Sequence, residues 1–307
     1  MKELIVTIRC IAYNHEPYIR QCLEGFVMQK ANFRFEAIVH DDASTDGTAT
    51  IILEYAEKYP DIIKPIIETE NQYSKRDGSL RRIMDAHMHG KYIALCEGDD
   101  YWTDPYKLQK QVDLLEKNLD CSFCCGGYVQ RQAGEEDILK IEGRGDTSYF
   151  KFGIEDWITK WFTMPLTTIY RKNEYFTEIE GFRDKYKYFR DVHMYYHLFQ
   201  IGKGIYLSEN LAVHIHHLGG IASMQPHWIV AKNNNNVYRE IYDVTLNSYM
   251  RKLAFNSTIN RLCSKDETMS KISLFRYAWK ISISFEEDIK IVKASLRFLL
   301  KNKYSRK

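Results

Sequence analysis

The stretch Tyr92–Trp102, YIALCEGDDYW, constrains this chain more than any other. An apolar run, YIALC, passes straight into Glu97, Gly98, Asp99 and Asp100. That pattern predicts a buried strand whose end emerges into a crevice carrying three carboxylates within four positions. Like charges so close repel, and partial burial at a strand tip raises the cost. A hard divalent cation such as Mg2+ or Mn2+ takes oxygen ligands and relieves the repulsion. The alternative is a solvated acidic turn capping the next helix, and Asp104-Pro105 has that form. Asp104 can cap alone, which leaves Asp99 and Asp100 for a ligand.

The flanking residues set this strand in an alternating series. Leu4–Ile8 reads as a first strand, and a helix follows from Pro17 to about Gln29 with Ile19, Leu23, Phe26 and Val27 on one face. Phe35–His40 reads as a second strand, followed by a helix to Tyr59. Ile62–Ile67 is a third strand, placed near an edge by Pro65. A polar loop over 68–79 and a short helix Leu80–His89 precede the acidic strand; a helix over Pro105–Asn118 and a strand near Ser122–Val129 follow it. This rhythm predicts an α/β fold, with right-handed βαβ units on a mainly parallel sheet flanked by helices. Such sheets bind ligands at the carboxyl ends of their strands. Tyr13/Asn14, Asp41/Asp42 and Asp99/Asp100 all fall at such ends, so three polar clusters are expected to share one crevice.

Farther on, Gln130–Thr147 reads as an exposed loop, Ile154–Phe162 as a helix and Pro165–Tyr170 as a short strand. Phe189–Phe199 reads as a helix with Asp191 near its start, and Leu211–His216 as an alternating strand running into a double glycine. From Pro226 the pattern is helical, with an interruption expected at Asn233–Asn236. The expected division is therefore a sheet-bearing domain over 1–225 and a helical extension over 226–307.

Composition excludes several classes. With 45% apolar and 27% charged residues the chain is an ordinary globular one, and a net charge of +2 gives no reason to expect nucleic acid. The charge is uneven: Lys271–Lys307 holds ten Lys/Arg against three acids, leaving the body slightly acidic. Seven cysteines, an odd number, with no secretory signal before the first strand, lead us to expect a reducing, cytoplasmic setting. The Cys121-x-x-Cys124 pair has no second pair to complete a zinc site. No apolar run reaches the roughly 18 residues a membrane span needs. Neither G-x-x-x-x-G-K-[ST] nor G-x-G-x-x-G occurs, which argues against a P-loop or dinucleotide site. Acids where those folds place glycines point instead to a metal handling a diphosphate. Asp41 and Asp42 can accept from a base or a ribose hydroxyl; DDASTDGT is equally a turn and helix cap.

With these motifs in place, the chain resembles the glycosyltransferase family 2 domain with the GT-A fold. Four stretches carry the likeness in order: AYNHEPYIRQCLEG, FEAIVHDDASTDGT, GKYIALCEGDDYWTDPYKLQKQ and a downstream Asp-plus-His segment, together spanning roughly residues 3–225. The resemblance implies an inverting transferase that moves a sugar from a nucleotide-diphosphate sugar to a hydroxyl of a saccharide or lipid-linked acceptor, in polysaccharide or glycolipid biosynthesis. It implies that Ala12, Tyr13, Asn14 and Asp41, with Asp42, Glu97 and Asp99, bind the donor. Asp99 and Asp100 would hold Mn2+ or Mg2+; Glu97 stands where many members carry Asp. Asp191 matches the family's catalytic base, although by its residues alone it is an acid stabilising a helix N-terminus.

Members of the family commonly show a Tyr-Arg pair, one residue, then His before glycines. His217 fits that His as a further metal or diphosphate ligand, while His214 and Ile215 replace the Tyr and Arg. Lys75, Arg76, Arg81 and Arg82 are then candidates to neutralise phosphate. His193 and His197 lack the Glu of a zinc helix and read as packing or acceptor contacts. Tyr101, Trp102 and Trp157 are candidates to stack on sugar faces, or core. Two rival readings share the sheet and acids. A sugar-1-phosphate nucleotidyltransferase needs a Gly-rich basic loop where AYNHEP stands; a catalytically silent sugar-nucleotide binder has no use for Asp191. The basic C-terminal helices fit either peripheral contact with the inner membrane surface or packing on the domain.

Overall fold

The computed structural model describes residues 3–172, 186–217, 226–264 and 270–304. The chain divides into two compact units, Met1–Thr177 with His197–His217, and Glu178–Tyr196 with Leu218–Lys307.

In the first unit, β1 (Leu4–Ala12) lies inside the sheet, with β2 (Arg34–Asp41) and β4 (Tyr92–Leu95) paired in parallel along its two edges. Its β-branched Val6, Thr7 and Ile8 suit that pleated, enclosed position. β3 (Ile63–Ile67) lies outside β2, where Pro65 is tolerated. On the other side β9 (Ile169–Arg171) runs antiparallel between β4 and β6 (Cys121–Gln132), and β10 (Lys203–His216) lies parallel to β6. β5 (Tyr101–Trp102) closes the path antiparallel to β10, with Tyr101 opposite Val213. Among the described residues ten strands form one sheet, most of its ladder length parallel, as the sequence rhythm predicts.

Helix α1 (Ile19–Val27) buries Ile19, Cys22, Leu23 and Phe26, the expected apolar face. Each such side chain contributes about 1.5–3 kcal/mol on leaving water. The helix approaches so closely that a Cβ on Gly25 would lie 2.9 Å from the Trp102 nitrogen. Helices α2 (Thr48–Lys58), α3 (Gln72–Lys75), α4 (Ser79–His87) and α5 (Lys107–Lys117) complete the layers around the acidic strand. Cys121, Cys124 and Cys125 are buried strand residues, and all seven cysteines are free.

Three expectations are corrected here. The helix expected over Ile154–Phe162 is the single turn α6 (Ile154–Trp157), after which Trp157 turns inward and donates from Nε1 to Thr163 Oγ1. The strand expected at Pro165–Tyr170 starts late. Pro165–Thr167 is a 3₁₀ turn, and the Thr167 and Thr168 hydroxyls both bond back to the Met164 carbonyl, so extension begins at Ile169. The supposed loop Gln130–Thr147 is partly sheet: β6 continues to Gln132 and pairs with the exposed β7 (Ile138–Lys140), and β8 (Tyr149–Phe152) follows. Its charged residues concealed an edge hairpin, which needs only one sheltered face.

The second unit is helical. Helix α7 (Asp191–Ile201), which belongs to this unit as far as Tyr196, opens with the His193 ring accepting from the Arg190 amide, and His193 and His197 are both buried. Then come α8 (His227–Thr245), α9 (Ser248–Cys263), α10 (Lys271–Ile281) and α11 (Phe285–Tyr304). The expected break at Asn233–Asn236 does not occur, since α8 runs through it. Asn235 is buried, gives its amide to Thr258 and Ser257, and with Asn236 accepts from Arg261. Those bonds outweigh the poor helix propensity of asparagine. Among the described residues no helix is long and apolar enough to cross a membrane.

Candidate active site

The carboxyl edge of the parallel strands gathers the acids. At the end of β1, Ala12 accepts from the Asp42 amide at 2.9 Å, and Ile11 accepts from the Gly98 amide at 2.9 Å. Three strand ends are thereby tied into one rim. Tyr13 is exposed there, and Asn14 adopts the left-handed conformation (φ 55°) that asparagine tolerates. Its Oδ1 accepts from Thr45 N and its own N–H donates to Ser44 Oγ. The first loop is thus fastened to the loop after β2.

Asp41 and Asp42 have different surroundings. Asp42 turns both carboxylate oxygens to the amides of Gln72 and Tyr73, at 2.7 and 3.0 Å, at the start of α3. Asp41 accepts from Ser44 N through Oδ2, but its Oδ1 is buried with no hydrogen-bond partner among the described residues. A buried acceptor without a donor costs about 1–3 kcal/mol. The site therefore holds an open demand for a donor.

Of the acidic loop, Glu97 accepts from Arg9 Nη1 at 3.1 Å. Burial opposes the Arg9 charge, but Glu97, with Tyr170 and Asp85, holds the guanidinium above its ordinary range. Asp99 Oδ2 lies 3.0 Å from His217 Nε2 and 3.8 Å from His15 Nε2. Asp100 accepts from His214 Nδ1 at 3.0 Å and from the Ile215 amide at 2.9 Å. A carboxylate only accepts, so His214 carries its proton on Nδ1. Burial pulls His214 down, yet the bond and charge of Asp100 raise it overall. His15 is lowered, by burial first, with Asp99 pulling against it and His217 adding to the fall. A neutral imidazole is the form that can ligate a metal.

Among the described residues no three His, Cys, Asp or Glu side chains are arranged as a metal cage. In the present arrangement Asp99 pairs with His217 and Asp100 with His214. The donor set nevertheless suits a cation: Asp99 offers a carboxylate oxygen, and two imidazole nitrogens stand beside it. A metal ion there would replace the proton shared by Asp99 and His217.

Arg9, His15 and His214 were not among the expected site residues. His214 takes the place of a Tyr in the family pattern and serves Asp100, while Ile215 answers with its backbone amide. The alternation of Ala212, His214 and His216 along β10 held a signal that His214 shares a face; nothing in sequence marked Arg9. Trp102 and Trp157 are fully buried, so both are core rather than sugar platforms. Lys75, Arg81 and Arg82 each pair with an acid of their own segment, namely Glu70, Asp85 and Asp77. Asp191 is the exposed first residue of α7, in the second unit.

Comparison with known proteins follows the same residues. The model of the family described as glycosyl transferase family 2 matches residues 7–190. An uncharacterized protein of Mycobacterium bovis is 45% identical over 119 residues, 39% of this chain and 34% of its own length. EpsE of Bacillus subtilis, named as a glycosyltransferase, is 40% identical over 106 residues, 34% of this chain and 36% of its own. The matches thus span about a third of the length of these curated relatives. Among solved structures, S. aureus TarS 1-349 in complex with UDP-GlcNAc covers 95% of this chain and 79% of its own, at TM-score 0.60 and 17% identity. The mannosyltransferase PcManGT from Pyrobaculum calidifontis, in complex with GDP-Man and Mn2+, covers 96% of this chain and 86% of its own, at TM-score 0.51 and 14% identity. Likenesses at these identities establish the fold, the expected GT-A arrangement.

Proposed function

We propose, since the chain belongs to glycosyl transferase family 2, that it moves a sugar from a nucleotide-diphosphate sugar to an acceptor hydroxyl with inversion at the anomeric carbon. One observation carries the reading: Asp41 keeps a buried, unpartnered carboxylate oxygen on the rim where Asn14, Glu97 and the Asp99–His217 pair gather. A base N–H or a ribose hydroxyl supplies the missing donor. Ala12 and Tyr13 form the adjoining wall, Asp42 holds the loop that presents Asp41, and Glu97, oriented by Arg9, accepts from a donor hydroxyl.

Asp99 and His217 are the residues that would hold Mn2+ or Mg2+, with Asp100 steadied beside them by His214. Mixed oxygen and nitrogen donors favour Mn2+ over Mg2+, and the Mn2+ named with PcManGT supports that choice. When bound, the cation neutralises charge gathering on the leaving diphosphate. The acceptor oxygen bonds to the anomeric carbon on the face opposite the diphosphate. The carbon–oxygen bond to the diphosphate breaks, and its electron pair departs with the nucleoside diphosphate. The hydroxyl proton passes to a carboxylate, for which we assign Asp191. A saccharide or lipid-linked hydroxyl of polysaccharide biosynthesis is the acceptor we infer, and the UDP-GlcNAc named with TarS makes UDP-sugars the first donors to test.

A thermal-shift screen of UDP- and GDP-sugars, with and without Mn2+, tests this reading. Stabilisation is expected from one donor, strengthened by Mn2+ through mass action and losing that Mn2+ dependence in Asp99→Asn. A screen with no hit overturns the reading; an unaltered Mn2+ effect in the variant removes only the metal assignment.

A further inference from the structure

Helix α10 has two apolar faces, and folding uses one. Leu274, Tyr277, Ala278 and Ile281 are buried against Ala254, Phe255 and Leu262 of α9 and Ile291 and Ala294 of α11. On the opposite side Ile272 is 65% exposed, Trp279 51% and, just past the helix end, Ile283 74%. Phe275 stacks on Trp279 at 5.9 Å. Residues seven and four apart share one side of a helix. Arg276 and Lys280 lie exposed on that side, and α10 contains no acid. A second apolar stripe on a helix whose inner face is already covered suits contact with a further surface.

The charge says what kind of contact. The segment from Lys271 to Lys307 holds ten cations against three acids, all three in the first turn of α11. A second copy of the chain would bring the same cations against these ones. Tryptophan and isoleucine bordered by Arg and Lys suit instead the boundary between acyl chains and phosphate headgroups. We propose that this face of α10 docks on a bilayer surface rich in anionic lipid. Ile272, Trp279 and Ile283 enter the interface; Arg276 and Lys280 meet lipid phosphates. The inference is independent of sugar transfer and needs no membrane-spanning helix.

Sedimentation of the full chain with sucrose-loaded vesicles tests it, comparing phosphatidylcholine alone with phosphatidylcholine plus phosphatidylglycerol. The chain is expected to pellet with the phosphatidylglycerol vesicles and to be partly released by salt. W279E/I283E and R276E/K280E should each weaken binding by about tenfold or more, with circular dichroism unchanged because all four residues lie outside the packed face of α10. Failure to bind phosphatidylglycerol vesicles, equal binding to phosphatidylcholine alone, or undiminished binding by both variants overturns the proposal. So does a dimer that dissociates in W279E/I283E without any lipid binding, which would give the face to a second copy.

Discussion

At the scale of single residues, neighbouring acids of like charge have separate duties. Asp41 and Asp42 are adjacent, but the chain turns one towards an open demand for a donor and the other onto backbone amides. Asp99 and Asp100 likewise face different histidines. Sequence could place these acids at strand ends, because burial and turn chemistry are local. It could not tell which member of each pair would be spent on structure, because Gln72, His214 and His217 reach them from 30 to 118 positions away. Asp191 is proposed as the base on resemblance alone. If it takes the acceptor proton, Asp191→Asn should lower kcat by about 10²–10⁴ while donor affinity stays within about twofold. Steady-state kinetics alongside donor titration separates the two, and unchanged turnover assigns the base elsewhere.

At the scale of elements, alternation and helical spacing revealed the longer strands and helices from β1 to α5, since a buried side leaves a periodic pattern, but not α3, which lies in the expected polar loop 68–79. They failed where partners override local preference. β5 has two residues and no pattern of its own; β10 makes it a strand. The asparagines of α8 remain helical because Ser257, Thr258 and Arg261 meet their amides. The close approach of α1 to β5 is the most direct of these contacts to test. Gly25→Ala gains about 1 kcal/mol of helix propensity but forces a methyl to 2.9 Å from the Trp102 nitrogen. Overpacking of this kind costs about 1–3 kcal/mol, so a net fall in melting temperature is expected. Donor affinity should fall with it, as β5 directly follows Asp100. A variant as stable as the parent would show that the helix can yield at this point.

At the scale of the molecule, one buried charge links the first unit's stability to pH. Lys107 is fully buried, lies 4.0 Å over the Trp102 ring and donates to Gln111 Oε1. Burial pulls its ammonium down to about 7, against weaker upward pulls from Cys96, Cys124 and Asp104. An unfolded chain holds that proton to about pH 10.4. Between the two values the unfolded state binds more protons, so this group's stabilisation rises with pH and is lost as pH falls towards 7. Thiols such as Cys96 and Cys124, which burial raises to about 11 and 12, act in the opposite sense at higher pH. The clean window is therefore about pH 7 to 8.5, where wild type should gain roughly 1.5 kcal/mol relative to Lys107→Met. Denaturant unfolding of both across that window checks it; parallel curves would mean the lysine keeps its proton in the fold.

By itself the sequence determined the α/β class, the longer strands and helices as far as α5, and the acids at the strand ends. These follow from hydrophobic periodicity and turn chemistry, which act over a few residues. Only the tertiary structure decided that His214 and His217 answer Asp100 and Asp99, that Arg9 holds Glu97, and that Asp41 Oδ1 has no donor among the described residues. Those pairings depend on strand order and register, which join residues far apart in the chain.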